Sequence, residues 1–176
     1  DPSIKGQVEF RDVSFRYPGA DDCVLEGISF TARRGMTTAV IGSTGSGKST
    51  LINLIPRFYD VTDGQVLVDG RDVREVSLKE LREKIGYIPQ KGILFSGTIE
   101  SNLLYGIDSG SYEKTELEKR MDKAAEISQA MEFIREKPEG FNSPVSQGGT
   151  NVSGGQKQRL SIARALVKQP EIYIFD

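Results

Sequence analysis

The 176-residue sequence contains no histidine and a single cysteine, Cys23. Without histidine, the commonest side chain for proton transfer near neutral pH is missing, and with it Ser/His hydrolase chemistry and His-based metal sites. A lone cysteine forms no internal disulfide and has no CxxC partner for structural zinc, so Cys23 reads as a small packed residue in a chain from a reducing compartment. No apolar run approaches the roughly 18 residues that span a bilayer, and no basic start followed by an apolar stretch marks a signal peptide. These absences predict a soluble domain. Basic charge is not in excess either: 23 Lys+Arg against 25 Asp+Glu give a net charge of −2, with no basic footprint for nucleic acid. What remains is 37% hydrophobic and 27% charged, with 19 Gly and 7 Pro dispersed along the chain. That balance suits one folding domain and excludes collagen-like and low-complexity classes.

Periodicity supplies the organisation. Apolar alternation over residues 8–10 and 13–15 and the β-favouring runs 28–31, 36–41 and 65–68 predict a strand-rich first part. Tyr17-Pro18-Gly19 and Asp69-Gly70 supply turn chemistry. After residues 42–47 the period changes: Leu51, Leu54, Ile55 and Phe58 recur at helical spacing, on a helix beginning near Lys48. Ser77 and Glu80 form a capping-box pattern for a short helix, and residues 85–89 return to strand. From 98 to 135 the pattern is mostly helical, with Leu117, Met121, Ala124, Ser128 and Met131 on one face and solvated charges on the other. A Gly/Ser/Asn/Pro-rich loop over 138–151 precedes a helix over 153–168, which Pro170 stops before the apolar strand 172–175. Strands alternating with helices imply an α/β fold with a helix-covered parallel sheet.

Two segments carry chemistry. Gly42-Ser43-Thr44-Gly45-Ser46-Gly47-Lys48-Ser49 satisfies the phosphate-loop pattern G-x-x-x-x-G-K-[ST], set between a predicted strand and a predicted helix. Its glycines let several backbone N–H groups point at one anion, and the helix that follows adds the positive end of its dipole. Lys48 is placed to reach the β- and γ-phosphates, Ser49 to put its hydroxyl on Mg²⁺, and Thr50 to add a phosphate hydrogen bond. The second segment is Asn151-Val152-Ser153-Gly154-Gly155-Gln156-Lys157-Gln158-Arg159. Here Ser153 and Gln156 have capping-box spacing, while Gly154 and Gly155 bare the first-turn N–H groups; the segment is either a second anion receptor or an ordinary cap. Asp176, at the end of the strand 172–175, suits Mg²⁺ support where ligands gather at strand ends, or serves as a plain strand-end carboxylate.

The order of Tyr17, the phosphate loop, Tyr87-Ile88-Pro89-Gln90, the Ser153-Gly154-Gly155-Gln156 segment and residues 172–176 resembles the nucleotide-binding domain of ATP-binding-cassette transporters over essentially the whole chain. Within that family it resembles the exporter branch, through Leu94-Phe95-Ser96-Gly97-Thr98-Ile99 and Arg57-Phe58-Tyr59-Asp60. The resemblance implies a P-loop NTPase fold: a RecA-like parallel sheet core, an N-terminal antiparallel β portion and a helical subdomain. Residues 1–90 then hold the β portion and phosphate loop, 91–168 the helical part, and 169–176 a strand returning to the core.

It further implies ATP and Mg²⁺ as cofactors, with two such domains sandwiching two ATP molecules. Ser153 and Gly155 then touch the γ-phosphate held by the partner domain. Tyr17 matches the aromatic that stacks on adenine, although a surface tyrosine beside a turn would look the same. Gln90 matches the residue joining Mg²⁺ and the attacking water to the membrane-facing region; from its chemistry alone it could be a loop amide bonded to backbone. Lys48, Gln90 and Asp176 become the catalytic set, with Ser49, Gln90 and Asp176 toward the metal. Transmembrane domains become partners, at the cytoplasmic face of the membrane.

Departures from the family pattern matter as well. Val152 stands where Leu is usual, and the loop Ser143-Pro144-Val145-Ser146-Gln147-Gly148-Gly149 lacks the Glu and Arg that exporters often carry. A heterodimer with a degenerate, non-hydrolysing half is therefore the alternative. A cassette ATPase of chromosome maintenance is disfavoured, since no long coiled coil separates the two phosphate segments. The glutamate, Asp loop and switch histidine that usually follow the position of Asp176 are not in the sequence. From this the expectation is a fragment of a longer domain, inactive by itself.

Overall fold

The computed structural model describes residues 3–176, in two compact units, the first reaching Ile85 and the second running from Gly86 to Asp176. In the first unit, β1 (Val8–Phe15) and β2 (Leu25–Ala32) pair antiparallel, and α1 (Lys48–Asn53), β3 (Asp63–Val68), β4 (Arg71–Asp72) and α2 (Leu78–Glu83) follow. The antiparallel sheet has the order β2-β1-β3-β4.

The two apolar runs in residues 8–15 are one strand. Val8 and Phe10 are buried, and so are Val13 and Phe15, a phase that simple alternation could not keep. The register on both neighbours slips at this point, and Asp12 takes φ 47°. This β-bulge restores the inward direction of the second half. Gly64 on β3 lies against it with φ +78°; a Cβ there would run into the carbonyl oxygens of Arg11 and Asp12. Phe10 stacks on its β2 partner Phe30, ring centroids 4.7 Å apart. The turn pair Asp69-Gly70, both at positive φ (53° and 75°), closes the β3–β4 hairpin as its residue types predict.

Three expectations in this unit are corrected. Cys23, expected to be packed, is exposed between β1 and β2. Residues 36–41 form no strand: none of the described strands pairs with them, and Met36 and Ile41 are 71% and 93% exposed. A β-favouring sequence becomes a strand only when a neighbour accepts and donates its ladder bonds. Phe58 is not on the buried face with Leu51, Leu54 and Ile55: α1 stops at Asn53, and Arg57 turns to φ 55°. Phe58 emerges half-exposed under the Arg82 guanidinium, 5.4 Å from its ring centre. At α2, Ser77 accepts from Glu80 N–H, so the cap forms through the Ser77 side chain.

The second unit contains β5 (Ile85–Ile88) from its second residue on, β6 (Gly97–Thr98), α3 (Ile99–Leu103), α4 (Lys114–Ile127), α5 (Met131–Glu136), β7 (Pro144–Val145), α6 (Gly154–Val167) and β8 (Ile172–Phe175). β5 and β8 form a parallel pair, and β6 pairs antiparallel with β7. The helical stretch predicted over 98–135 is three helices with breaks, and its expected face is the buried one: Leu117, Met121, Ala124, Ser128 and Met131 all point inward. Of these, Met121, Ala124 and Met131 pack with Leu94, Ile99, Leu103, Val145, Val152 and the inner face of α6, Leu160, Ala163 and Val167. That core fixes α6, and with it the segment that begins at Ser153.

Candidate nucleotide site

The phosphate-loop residues curl as their glycines allow. Gly45 and Gly47 take φ +80° and +89°, Ser46 N–H donates to Ser43 O at 3.1 Å, and Gly47 sits at the cap position of α1 in the left-handed region. A Cβ at Gly47 would lie 3.1 Å from the side chains of Val24 and Leu25, so glycine is required both for its φ and for its closeness to β2. Gly42 is similarly tight, with the Ser46 side chain over it. Lys48 Nζ turns back over the loop and donates to Gly42 O at 2.8 Å and Ser43 O at 2.7 Å. The ammonium is thus held above the loop, where an anion cradled by the N–H groups would meet it. Thr44 and Ser49 lie along the same curl; Thr50, one position further, is buried, and its Oγ1 is 2.8 Å from the Tyr17 hydroxyl. Tyr17 itself follows the end of β1, with Ala20 N–H closing the predicted turn onto its carbonyl at 3.0 Å.

At the second segment the predicted capping box is complete. Gln156 N–H donates to Ser153 Oγ, and Ser153 N–H donates to Gln156 Oε1, both at 3.2 Å. A Cβ built on Gly154 or Gly155 meets nothing within 4 Å. The start of α6 is therefore capped from within and open on its glycine side. Below it the helix is bound to the loops on either side. Gly92 packs so closely that a Cβ would stand 2.6 Å from the backbone of Lys157. Gln158 Nε2 donates to Pro89 O at 3.2 Å, beside Gln90, and Lys157 Nζ donates to Gly148 O at 3.0 Å. The loop that lacks Glu and Arg is held, besides this Lys157 contact, by a neutral side chain: Asn151 Oδ1 accepts from Ser146 N–H and its amide donates to Pro144 O, each at 2.9 Å.

Gln90 is exposed, directly after β5 and Pro89. Its loop is anchored a few residues on by Asn102, buried to 2% exposure, which accepts from Phe95 N–H and donates to Phe95 O and Thr98 O. Arg164 of α6 donates to Asn102 Oδ1 and to the backbone oxygens of Asn102 and Ile93, and its guanidinium lies near the rings of Phe95 and Tyr105. Burial holds the Arg164 guanidinium below its usual range, with Tyr105 opposing. Asp176, exposed at the end of β8, accepts from Tyr87 O–H at 3.2 Å, while its N–H donates to Ile88 O. Burial, reinforced by the Asp176 carboxylate, pushes the Tyr87 phenol up to about 12.

The family model described as ABC transporter matches residues 25–176, a span that contains the glycine loop, Gln90, the Ser153 segment and Asp176. The chain belongs to the ABC transporter family. An ABC transporter ATP-binding protein of Mycobacterium tuberculosis is 51% identical over 173 residues, 98% of this chain and 29% of that protein. An ATP-dependent lipid A-core flippase of Aromatoleum aromaticum is 47% identical over 98% of this chain and 28% of its own length. Among solved structures, a bacterial Atm1-family ABC exporter with ATP bound superposes with a TM-score of 0.87 at 40% identity, covering 97% of this chain and 28% of that one. The chain thus spans less than a third of the length of these relatives. Its fold is the P-loop NTPase fold of the ABC family.

Within each unit of this ABC chain the structure brings together neighbours that the sequence separates. The first unit gathers Tyr17, Thr50 and the Gly42–Lys48 curl. The second joins Pro89, the neighbour of Gln90, to Gln158 of α6, and Tyr87 to Asp176. Sequence reasoning missed Gly92, Asn102 and Arg164, which hold the Gln90 loop to α6. Gly92 follows Gln90 by two positions, and an unexplained glycine next to a proposed site was the one available signal.

Proposed function

We propose that the chain is the ATP-binding and ATP-hydrolysing motor portion of an ABC exporter, working at the cytoplasmic face of a membrane with a second nucleotide-binding domain and attached transmembrane domains. The observation that carries this reading is the start of α6: a helix N-terminus capped by its own Ser153–Gln156 box and fronted by two glycines with open space before them. A helix start that needs no further partner for its own stability, yet keeps its glycine side clear, suits close approach of an anion presented from outside the chain. The similar bacterial Atm1-family ABC exporter, solved with ATP bound, supports the same assignment.

In this reading Gly42, Ser43, Thr44, Gly45, Ser46 and Gly47 cradle the phosphates with backbone N–H groups, and Lys48 exchanges its carbonyl partners for phosphate oxygens. Tyr17 stacks on adenine. Ser153, Gly154, Gly155 and Gln156 close over the nucleotide of the partner domain. Ser49, Gln90 and Asp176 offer hydroxyl, amide and carboxylate oxygens, a hard donor set that suits Mg²⁺ when phosphates complete its shell. Bound there, Mg²⁺ supplies charge neutralisation on the β- and γ-phosphates. The Tyr87 hydroxyl fixes the direction of the Asp176 carboxylate, and the Pro89–Gln158 bond ties Gln90 to the helix that closes on the partner. Most of the catalytic effect is then positioning and electrostatic stabilisation. The divisions are a nucleotide-binding portion over 1–90, a helical portion over 91–168 and a returning strand over 169–176.

Two substitutions in the intact transporter test the assignment. Lys48→Ala abolishes ATP binding or turnover. Ser153→Ala leaves binding by the separated domain intact and weakens ATP-dependent dimerisation. Loss of monomer ATP binding in Ser153→Ala would show that the second segment acts on its own subunit's nucleotide, against this reading.

A further inference from the structure

Tyr17 and Thr50 are 33 positions apart in the chain, yet their hydroxyl oxygens lie 2.8 Å from each other. Thr50 is the third residue of α1, directly after Lys48 and Ser49, and only 7% exposed. Tyr17 is half-buried, its ring edge-to-face with Phe15 at 4.8 Å and with Tyr59 at 5.2 Å between centroids. Phe15 in turn is fixed in β1 by pairing with Leu25, and Tyr59 lies 5.6 Å from it. The ring is therefore restrained by two aromatics, and its far end is tied by one hydrogen bond to the first turn of the phosphate-loop helix. A surface tyrosine beside a turn needs none of these partners. Each hydroxyl has one proton and two acceptor positions, so with Tyr17 donating, Thr50 keeps its own proton for a second acceptor.

We propose that the Tyr17–Thr50 hydrogen bond sets the spacing between the base-binding ring and the phosphate loop, which makes Thr50 a positioning residue for the nucleobase in addition to any contact it makes with phosphate. The inference rests on the nucleotide reading above and deepens it. A purine nucleoside triphosphate has a fixed span from ring to phosphates, and a platform that cannot drift relative to Lys48 binds it without first ordering a loose side chain. A ligand with phosphates and no base gains nothing from that link.

The test uses the intact transporter and two probes, ATP and inorganic tripolyphosphate, with the affinity ratio between them as the readout. Tyr17→Phe and Thr50→Val each lower the ATP-to-tripolyphosphate ratio by roughly two- to tenfold, the range expected for one neutral hydrogen bond. The double variant loses no more than the larger single loss, because both changes remove the same bond. Thr50→Ser keeps the hydroxyl and restores the ratio. Losses that multiply in the double variant overturn the proposal, as does a Thr50→Val variant that weakens both probes by the same factor, which would make Thr50 a phosphate contact only. If the wild-type protein shows no ATP binding that Lys48→Ala removes, the nucleotide reading itself fails, and this inference with it.

Discussion

Replacing Gly155 by alanine separates what the α6 start does for its own chain from what it does for a partner. A Cβ at this position meets nothing within 4 Å, and Gly155 lies inside α6 with no positive φ. Within the chain the added methyl group is therefore free of strain, and exchanging glycine for alanine in a helix stabilises by up to about 0.5–1 kcal/mol. For a unit of this size that raises the unfolding midpoint of the nucleotide-free protein by about 2–8 °C. If the glycine face receives the partner's γ-phosphate, the same methyl group pushes the reacting groups apart, and a displacement of about an ångström costs about a hundredfold in turnover. The expected result is thus a protein as stable as wild type or more so, with normal ATP binding and a collapse in steady-state ATP hydrolysis. Calorimetry without nucleotide and a phosphate-release assay in the intact transporter measure the two halves. Ser153→Ala cannot make this separation, because loss of an N-cap costs about 1 kcal/mol whatever the partner does. Unchanged turnover in Gly155→Ala, or a lowered midpoint without nucleotide, would refute the assignment of an open, partner-facing helix start.

Gly92→Ala should behave in the opposite way: its Cβ would stand 2.6 Å from the backbone of Lys157, so α6 or the Gln90 loop must shift, at about 1–3 kcal/mol, read as a lowered denaturation midpoint before any effect on nucleotide is considered. Asn102→Ala strands the Phe95 N–H and an Arg164 donor and should cost at least about 2 kcal/mol, with hydrogen exchange faster over residues 93–98 than elsewhere in the second unit. The Tyr87 phenol, pushed up to about 12, holds its proton more tightly folded than unfolded, where it titrates near 10. Its contribution to stability is therefore whole below about pH 10 and is lost as the pH rises through about 12. Ultraviolet titration should show a late tyrosine that disappears in Tyr87→Phe while Tyr173, also pushed up by burial, remains; absence of that late step would contradict the burial of Tyr87 and its Asp176 contact.

Local chemistry was readable in the sequence wherever a feature is satisfied within a few residues. The curl of Gly42 to Lys48, the Asp69-Gly70 turn and the Ser153–Gln156 capping box each depend on φ values and hydrogen bonds that short segments settle for themselves. The buried face of α4 was legible for the same reason, since helical spacing alone aligns Leu117, Met121 and Ala124. Only the tertiary structure decided the rest. Whether residues 36–41 become a strand depends on a neighbour's ladder and not on their own β-favouring side chains. Whether the apolar runs of 8–15 make one strand depends on a bulge accommodated by Gly64 on another strand. The Tyr17–Thr50, Gln158–Pro89 and Arg164–Asn102 bonds join residues separated by dozens of positions, and no periodicity or motif encodes such a meeting. Sequence fixes which groups can bind a phosphate, because that capacity lies in a loop and the first turn of a helix; packing across the chain fixes where those groups are held.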